Sequence, residues 1–308
     1  MKRLGTVFAH SLFVCIALLL PHCANRHRII KKEIKVYRPA KETPVLLKNG
    51  TPPPITIWIH GTRLLKNTPY ITEFDCCTQL KLAAELKPTC PLYTIARAVH
   101  VGNPDRFAWD SFYVFGWPGA LYATRRCQAG KKLYAQLMQI VEEHRAIYKT
   151  EPTIRIITHS HGGNLALCMA NSEEIHSIAV DELIMLACPV QYETCDAIKS
   201  PLFIQVYNIY SPLDFIQIVA PQFNRKKING NSAHTWIPIS ARCFEEHPKI
   251  VQTKVKINGR ALFHEDFIRP NFLQSLSEVL DTMATMKNEP GYATKEHLVS
   301  VTIGKRRN

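Results

Sequence analysis

The sequence predicts an α/β fold, a mostly parallel, doubly wound sheet with an inserted cap segment. Three observations point there. Short apolar runs recur along the middle of the chain: Ile55-Thr56-Ile57-Trp58-Ile59, Phe112-Tyr113-Val114-Phe115, Ile154-Arg155-Ile156-Ile157, Leu183-Ile184-Met185-Leu186-Ala187 and Phe203-Ile204-Gln205-Val206-Tyr207. They are β-branched or aromatic and nearly continuous in apolar character, as strands covered on both faces are. Helical spacing lies between them, and turn-forming residues close them, which is the signature of a sheet wrapped by crossover helices.

Taken in order, Lys2 and Arg3 precede an apolar run over 12–20 that ends at Pro21. A positive start and a short apolar stretch predict a signal peptide or membrane anchor over 1–24, and so an exported protein. The run falls short of the ~20 residues of a spanning helix. Residues 25–54 read as a basic, Pro-rich linker, since Pro52-Pro53-Pro54 cannot join a central strand. The folded domain is expected over 55–285. Within it, residues 63–111 mix leucines with Pro69, Pro88 and Pro91 and are expected to form a cap over the sheet edge. Leu133, Leu137, Ile140, Val141, His144 and Tyr148 recur at steps of three and four and predict a helix over 131–149. Residues 222–257 read as an insertion holding a hairpin of 234–239 and 250–257, closed by Asn258-Gly259. Residues 286–308 form a basic tail.

The formal net charge is +13, yet residues 1–49 carry +8 and residues 286–308 carry +3, leaving +2 on the middle. A nucleic-acid domain shows its basic stripe on the folded body. Here the excess sits on the ends, which suits a membrane surface and argues against a nucleic-acid partner. Of ten cysteines, Cys76, Cys77, Cys90 and Cys127 lie close enough in sequence to pair after export, while Cys168 and Cys188 sit in apolar segments and read as buried thiols. No C-x-x-C spacing is present.

The chemistry concentrates at Thr158-His159-Ser160-His161-Gly162-Gly163, which joins a strand to a helical pattern. A serine nucleophile must stand on a sharp turn clear of the sheet, and the residues two before and two after it must be small. Gly162 meets that need, and Thr158 replaces the usual glycine. The N–H of His161 is then one candidate oxyanion donor. Gly61 and the N–H of Thr62, directly after the first strand, supply the other side of that hole. An acid and a base should follow the serine in that order. Asp214, in Ser211-Pro212-Leu213-Asp214 after a strand, is chosen over Asp196, which precedes that strand. His264, ahead of a C-terminal helix, is chosen over His234 and His247.

These pieces, with Gly116-Trp117-Pro118-Gly119, resemble the α/β-hydrolase superfamily, especially its lipase- and esterase-like serine hydrolases, over about residues 55–285. The resemblance implies a triad of Ser160, Asp214 and His264, an acyl-enzyme on Ser160, no cofactor and no metal. The expected substrate is a small-molecule or lipid ester with an apolar acyl chain. A thioesterase, acyltransferase or peptidase on the same fold remains open, as does a silent binding protein. A metal-dependent hydrolase built on His60, His159 and His161 is disfavoured, because carboxylate ligands are missing at close spacing.

Overall fold

The computed structural model describes residues 46–62, 79–172, 178–220, 222–228, 231–237, 239–288 and 298–301. The expected signal segment, most of the linker and tail, Cys76 and Cys77 lie outside them.

In chain order the elements are β1 (Ile55–Ile59), β2 (Gln79–Leu82), α1 (Pro91–Gly102), β3 (Phe112–Gly116), α2 (Ala123–Tyr148), β4 (Ile154–His159), α3 (Gly162–Leu167) and β5 (Val180–Leu186). There follow β6 (Phe203–Tyr210), α4 (Ile216–Val219), β7 (Gln222–Ile228), β8 (Asn231–Ile237) and β9 (Ile250–Ile257). The chain continues through β10 (Arg260–Ala261), α5 (Pro270–Gln274), α6 (Leu276–Lys287) and β11 (Leu298–Val301). The main sheet runs β10-β9-β6-β5-β4-β1-β3-β2, with β11 also on β9. Only β2 and β10 run antiparallel to their neighbours. The fold is therefore α/β with a mostly parallel central sheet.

Side chains alternate across the strands and fill two cores. Ile55, Ile57, Ile59, Ile154 and Ile156 pack on one face against Leu133, Leu137 and Val141 of α2. Trp58, Phe112, Val114 and Ile157 pack on the other with Leu92 and Val99 of α1 and Leu276 and Leu280 of α6. Burial on both faces explains why these strands read as unbroken apolar runs rather than as alternating ones.

Parallel pairing places the loops after β1, β3, β4, β5, β6 and β9 along one edge of the sheet. The chain order reverses at β1, which lies between β3 and β4. In open α/β sheets the crevice at such a switch point, outside the carboxyl ends of the strands, is where ligands bind.

Four expectations change. Residues 79–111 do not form a cap: Gln79–Leu82 is the antiparallel edge strand on β3, and α1 covers a sheet face. The rest of the expected cap, 63–78, lies outside the described residues. Residues 250–257 are not half of an insertion hairpin. They are β9, parallel to β6, while the hairpin is β7 against β8. The Asn258-Gly259 turn is present, with φ of 49° and 75°, and leads into β10. The helix over 131–149 begins earlier, at Ala123. Cys168 is not a free thiol: it is bonded to Cys127 of α2, whereas Cys90 and Cys188 are free and buried. Among the described residues no helix is long and apolar enough to cross a membrane.

Candidate active site

Ser160 follows the last residue of β4 and has φ of 54°, in the left-handed region that non-glycine residues seldom enter. Its N–H donates to the Leu186 carbonyl (2.9 Å) and its own carbonyl accepts the Gly163 N–H (3.0 Å), so the turn is held on both sides. Such a conformation costs ~1–3 kcal/mol and persists only where the surroundings enforce it. The enforcement is tight packing. A Cβ on Gly162 would stand 2.6 Å from the Ile59 carbonyl oxygen and 2.7 Å from that of His60. A Cβ on Gly61 would stand 2.7 Å from Ser160 Cβ and 3.3 Å from Ser160 Oγ. Thr158 fits because its hydroxyl turns aside to the Ile184 carbonyl, 3.3 Å away.

The loop after β1 therefore lies directly against the serine. Within it His60 Nδ1–H donates to the Gly61 carbonyl (2.8 Å), and Trp117, just after β3, braces it. The His60 Nε2 accepts the Trp117 N–H (3.4 Å), and Trp117 Nε1–H donates to the His60 carbonyl (2.8 Å). Thr62 follows in the same loop. The His161 N–H has no main-chain partner among the described residues, as a donor kept for an oxyanion requires.

Asp214 lies in the turn after β6, fully buried. Its two oxygens do different work. Oδ2 accepts His264 Nδ1–H at 2.7 Å, across 50 residues of sequence. Oδ1 accepts the Gln217 N–H in α4 at 3.1 Å. One carboxylate thus meets the start of α4 and holds the histidine at once. Arg242 adds support, donating from Nη2 to the carbonyls of Pro212 (2.9 Å) and Asp214 (3.0 Å). The carboxylate fixes the His264 tautomer with Nδ1 protonated and leaves Nε2 as the basic nitrogen. Among the described residues neither His264 Nε2 nor Ser160 Oγ has a hydrogen-bond partner.

Two more imidazoles flank the serine, and both are neutral. Burial, helped by the nearby His264 and His60, pushes the His159 pKa down to about 3. Its Nε2–H donates to the His264 carbonyl at 3.0 Å. Burial and the Arg126 charge lower His161 well below the ordinary histidine value. The His161 Nδ1 accepts from Asn164 Nδ2 at 3.3 Å, and that amide also reaches the Pro189 carbonyl (2.9 Å). Behind them lies Arg126, 1% exposed, bound to the Leu121 carbonyl and to Gln191 Oε1. Desolvation lowers its pKa to about 10, with Glu193 opposing the shift.

Of the histidines considered for a metal, His60 and His161 turn ring nitrogens to separate protein partners, as does His159. Among the described residues no group of three His, Cys, Asp or Glu side chains is arranged to hold a metal ion. Asp196, the rejected acid, is exposed and pairs with Lys199. His247 is likewise apart, taking the Lys249 N–H on Nδ1. Sequence reading missed Gln217 and Arg242, and considered His159 only as a metal ligand. Gln217 carried a signal, since its N–H lies three residues after an aspartate at a helix start. Compared with protein-family models and with curated proteins, the chain matches none.

Proposed function

We propose that the protein is a serine hydrolase of the α/β-hydrolase type that cleaves carboxylic esters. The observation that carries this reading is the Asp214–His264 pair at 2.7 Å, at the same sheet edge as a left-handed serine. In the proposed reaction His264 Nε2 removes the Ser160 Oγ proton as Oγ attacks the ester carbonyl. The His161 and Thr62 N–H groups receive the oxyanion. The protonated imidazole, held by Asp214, then protonates the leaving alcohol. Water, deprotonated by the same nitrogen, releases the acid and restores the serine.

The ester is proposed to carry an apolar acyl chain. Phe263, beside His264, is 62% exposed, and Phe215, beside Asp214, is 65% exposed. Leu213, Ile216, Val219 and Ile239 are exposed nearby, and Ser240 N–H donates to the Ile218 carbonyl (2.7 Å), which ties Ile239 to α4. Exposed apolar side chains gathered beside a candidate site suit an apolar ligand. An exported location is proposed on two grounds, the N-terminal sequence and the Cys127–Cys168 disulfide, which belongs in an oxidising compartment.

The test is labelling of the full chain with a fluorophosphonate, alongside hydrolysis of p-nitrophenyl butyrate. Wild-type protein is expected to be labelled at Ser160. Ser160→Ala is expected to lose labelling and to keep only ~10³–10⁴-fold acceleration over water. Turnover in Ser160→Ala at the wild-type rate would end the proposal.

A further inference from the structure

Asp214 restrains the His264 ring, but a ring is only as well placed as the main chain that carries it. That main chain lies between two core anchors, the buried Leu262 and Phe267. It follows the short strand β10 and opens a single turn of 3-10 helix over His264–Ile268. The turn's own bonds are local: Asp266 N–H donates to the Phe263 carbonyl (3.0 Å), and Phe263 N–H donates to Asp266 Oδ2 (2.9 Å). They hold the shape of the turn, and the buried Phe267 seats it in the same core as Ile157 of β4, but neither makes a hydrogen bond across the gap to the end of β4, where the serine stands.

The residue that spans this gap is His159. It ends β4, paired with Leu186 of β5, and is covalently next to Ser160. Its Nε2 lies 3.0 Å from the His264 carbonyl oxygen, across 105 residues of sequence. The two rings lie 4.6 Å apart between centroids. A carbonyl only accepts, so the proton on His159 must sit on Nε2. Burial keeps this ring neutral across the neutral pH range, so the tautomer with Nε2–H persists there. His264 is thus gripped twice, at the side chain from β6 and at the main chain from the nucleophile's own strand.

On the hydrolase reading above, we propose that His159 is a positioning residue: its hydrogen bond to the His264 carbonyl sets the distance between the base and Ser160. It touches neither substrate nor the transferred proton. A residue needed merely to fill space would be replaced by any side chain of similar bulk. A positioning residue requires a donor at the place of Nε2. Glutamine reaches that place with an N–H and does not titrate. Phenylalanine keeps the ring and has no donor.

The experiment compares wild type, His159→Phe and His159→Gln as full chains. It reads kcat and KM on p-nitrophenyl butyrate, the fluorophosphonate labelling rate and the unfolding temperature. His159→Phe is expected to lose roughly 10- to 100-fold in kcat and in labelling rate, the scale of a misplaced catalytic group, with KM little changed. His159→Gln is expected to recover most of that loss. Equal labelling of wild type and His159→Phe would overturn the proposal. So would equal losses in the Phe and Gln variants, which mark a packing role. Should His159→Phe fail to fold, His159→Met, also without a donor, takes its place against His159→Gln. Failure of the hydrolase reading looks different, because the wild-type protein itself would not be labelled at Ser160.

Discussion

Replacing Gly61 by alanine puts a methyl group against Ser160, the proposed nucleophile. The new Cβ would stand 2.7 Å from Ser160 Cβ, 3.1 Å from the His159 carbonyl oxygen and 3.3 Å from Ser160 Oγ. Carbon atoms in contact lie ~3.5–4.0 Å apart, so about 1 Å of movement is required. None of these obstacles is the loose end of a long side chain. Either the loop after β1 retreats, taking the Thr62 N–H with it, or the serine is pushed from its left-handed turn. Overpacking of this size costs ~1–3 kcal/mol of stability. The same 1 Å error at a reacting group can cost ~100-fold in rate. Gly61→Ala is therefore expected to keep its fold, to melt several degrees lower and to label with fluorophosphonate roughly 100-fold more slowly. Gly162→Ala serves as the contrast. Its Cβ would meet two main-chain oxygens at 2.6 and 2.7 Å, so it is expected to lower the unfolding temperature further. A Gly61→Ala variant that labels at the wild-type rate would refute the placement of this loop against the proposed nucleophile.

Three other outcomes are expected. His159 has a folded pKa of about 3, below the unfolded histidine value of 6.5, so the unfolded chain takes up its proton first. Stability from this group is complete well above pH 6.5 and is lost as pH falls through 6.5 toward the folded value; between pH 7.5 and 5 the loss is about 2 kcal/mol. His161 acts in the same direction, so an unfolding temperature that does not fall between pH 7.5 and 5 would contradict both buried neutral rings. The Cys127–Cys168 bond closes a separation of 41 residues and should contribute about 4 kcal/mol through the unfolded chain. Reductant should lower the unfolding temperature accordingly, and recovery of both cysteines as thiols after non-reducing denaturation would disprove the bond. Finally, kcat/KM should rise with acyl length from acetate through medium chains, at up to ~0.8 kcal/mol per buried CH₂. A profile that is flat or falls would remove the apolar-chain substrate.

Much of this site was legible because its signals are local. A strand, a small-residue turn and a helix are contiguous at 154–167, and tight turns demand particular residues wherever they occur. The same holds for His60-Gly61 after β1 and for Asn258-Gly259 after β9. Residues 79–82 were harder. Their leucines belong to an antiparallel edge strand, yet nearby prolines made the whole segment read as irregular. Residues 250–257 alternate as a half-buried hairpin strand would, because β9 lies near the sheet edge, partly exposed on one face.

By itself the sequence determined the α/β class, the boundaries of the central strands and the residue types at the serine turn, since each depends on neighbours a few positions apart. The tertiary structure decided which distant groups meet. Nothing local in 158–161 tells that His159 will find the His264 carbonyl 105 residues on, or that Cys127 will reach Cys168 rather than Cys90. Nor does the segment 211–217 show that one carboxylate will both cap α4 and orient a histidine from beyond β9. Those pairings follow from strand order. Parallel strands deliver their following loops to a single edge, and order alone chooses which loops become neighbours there.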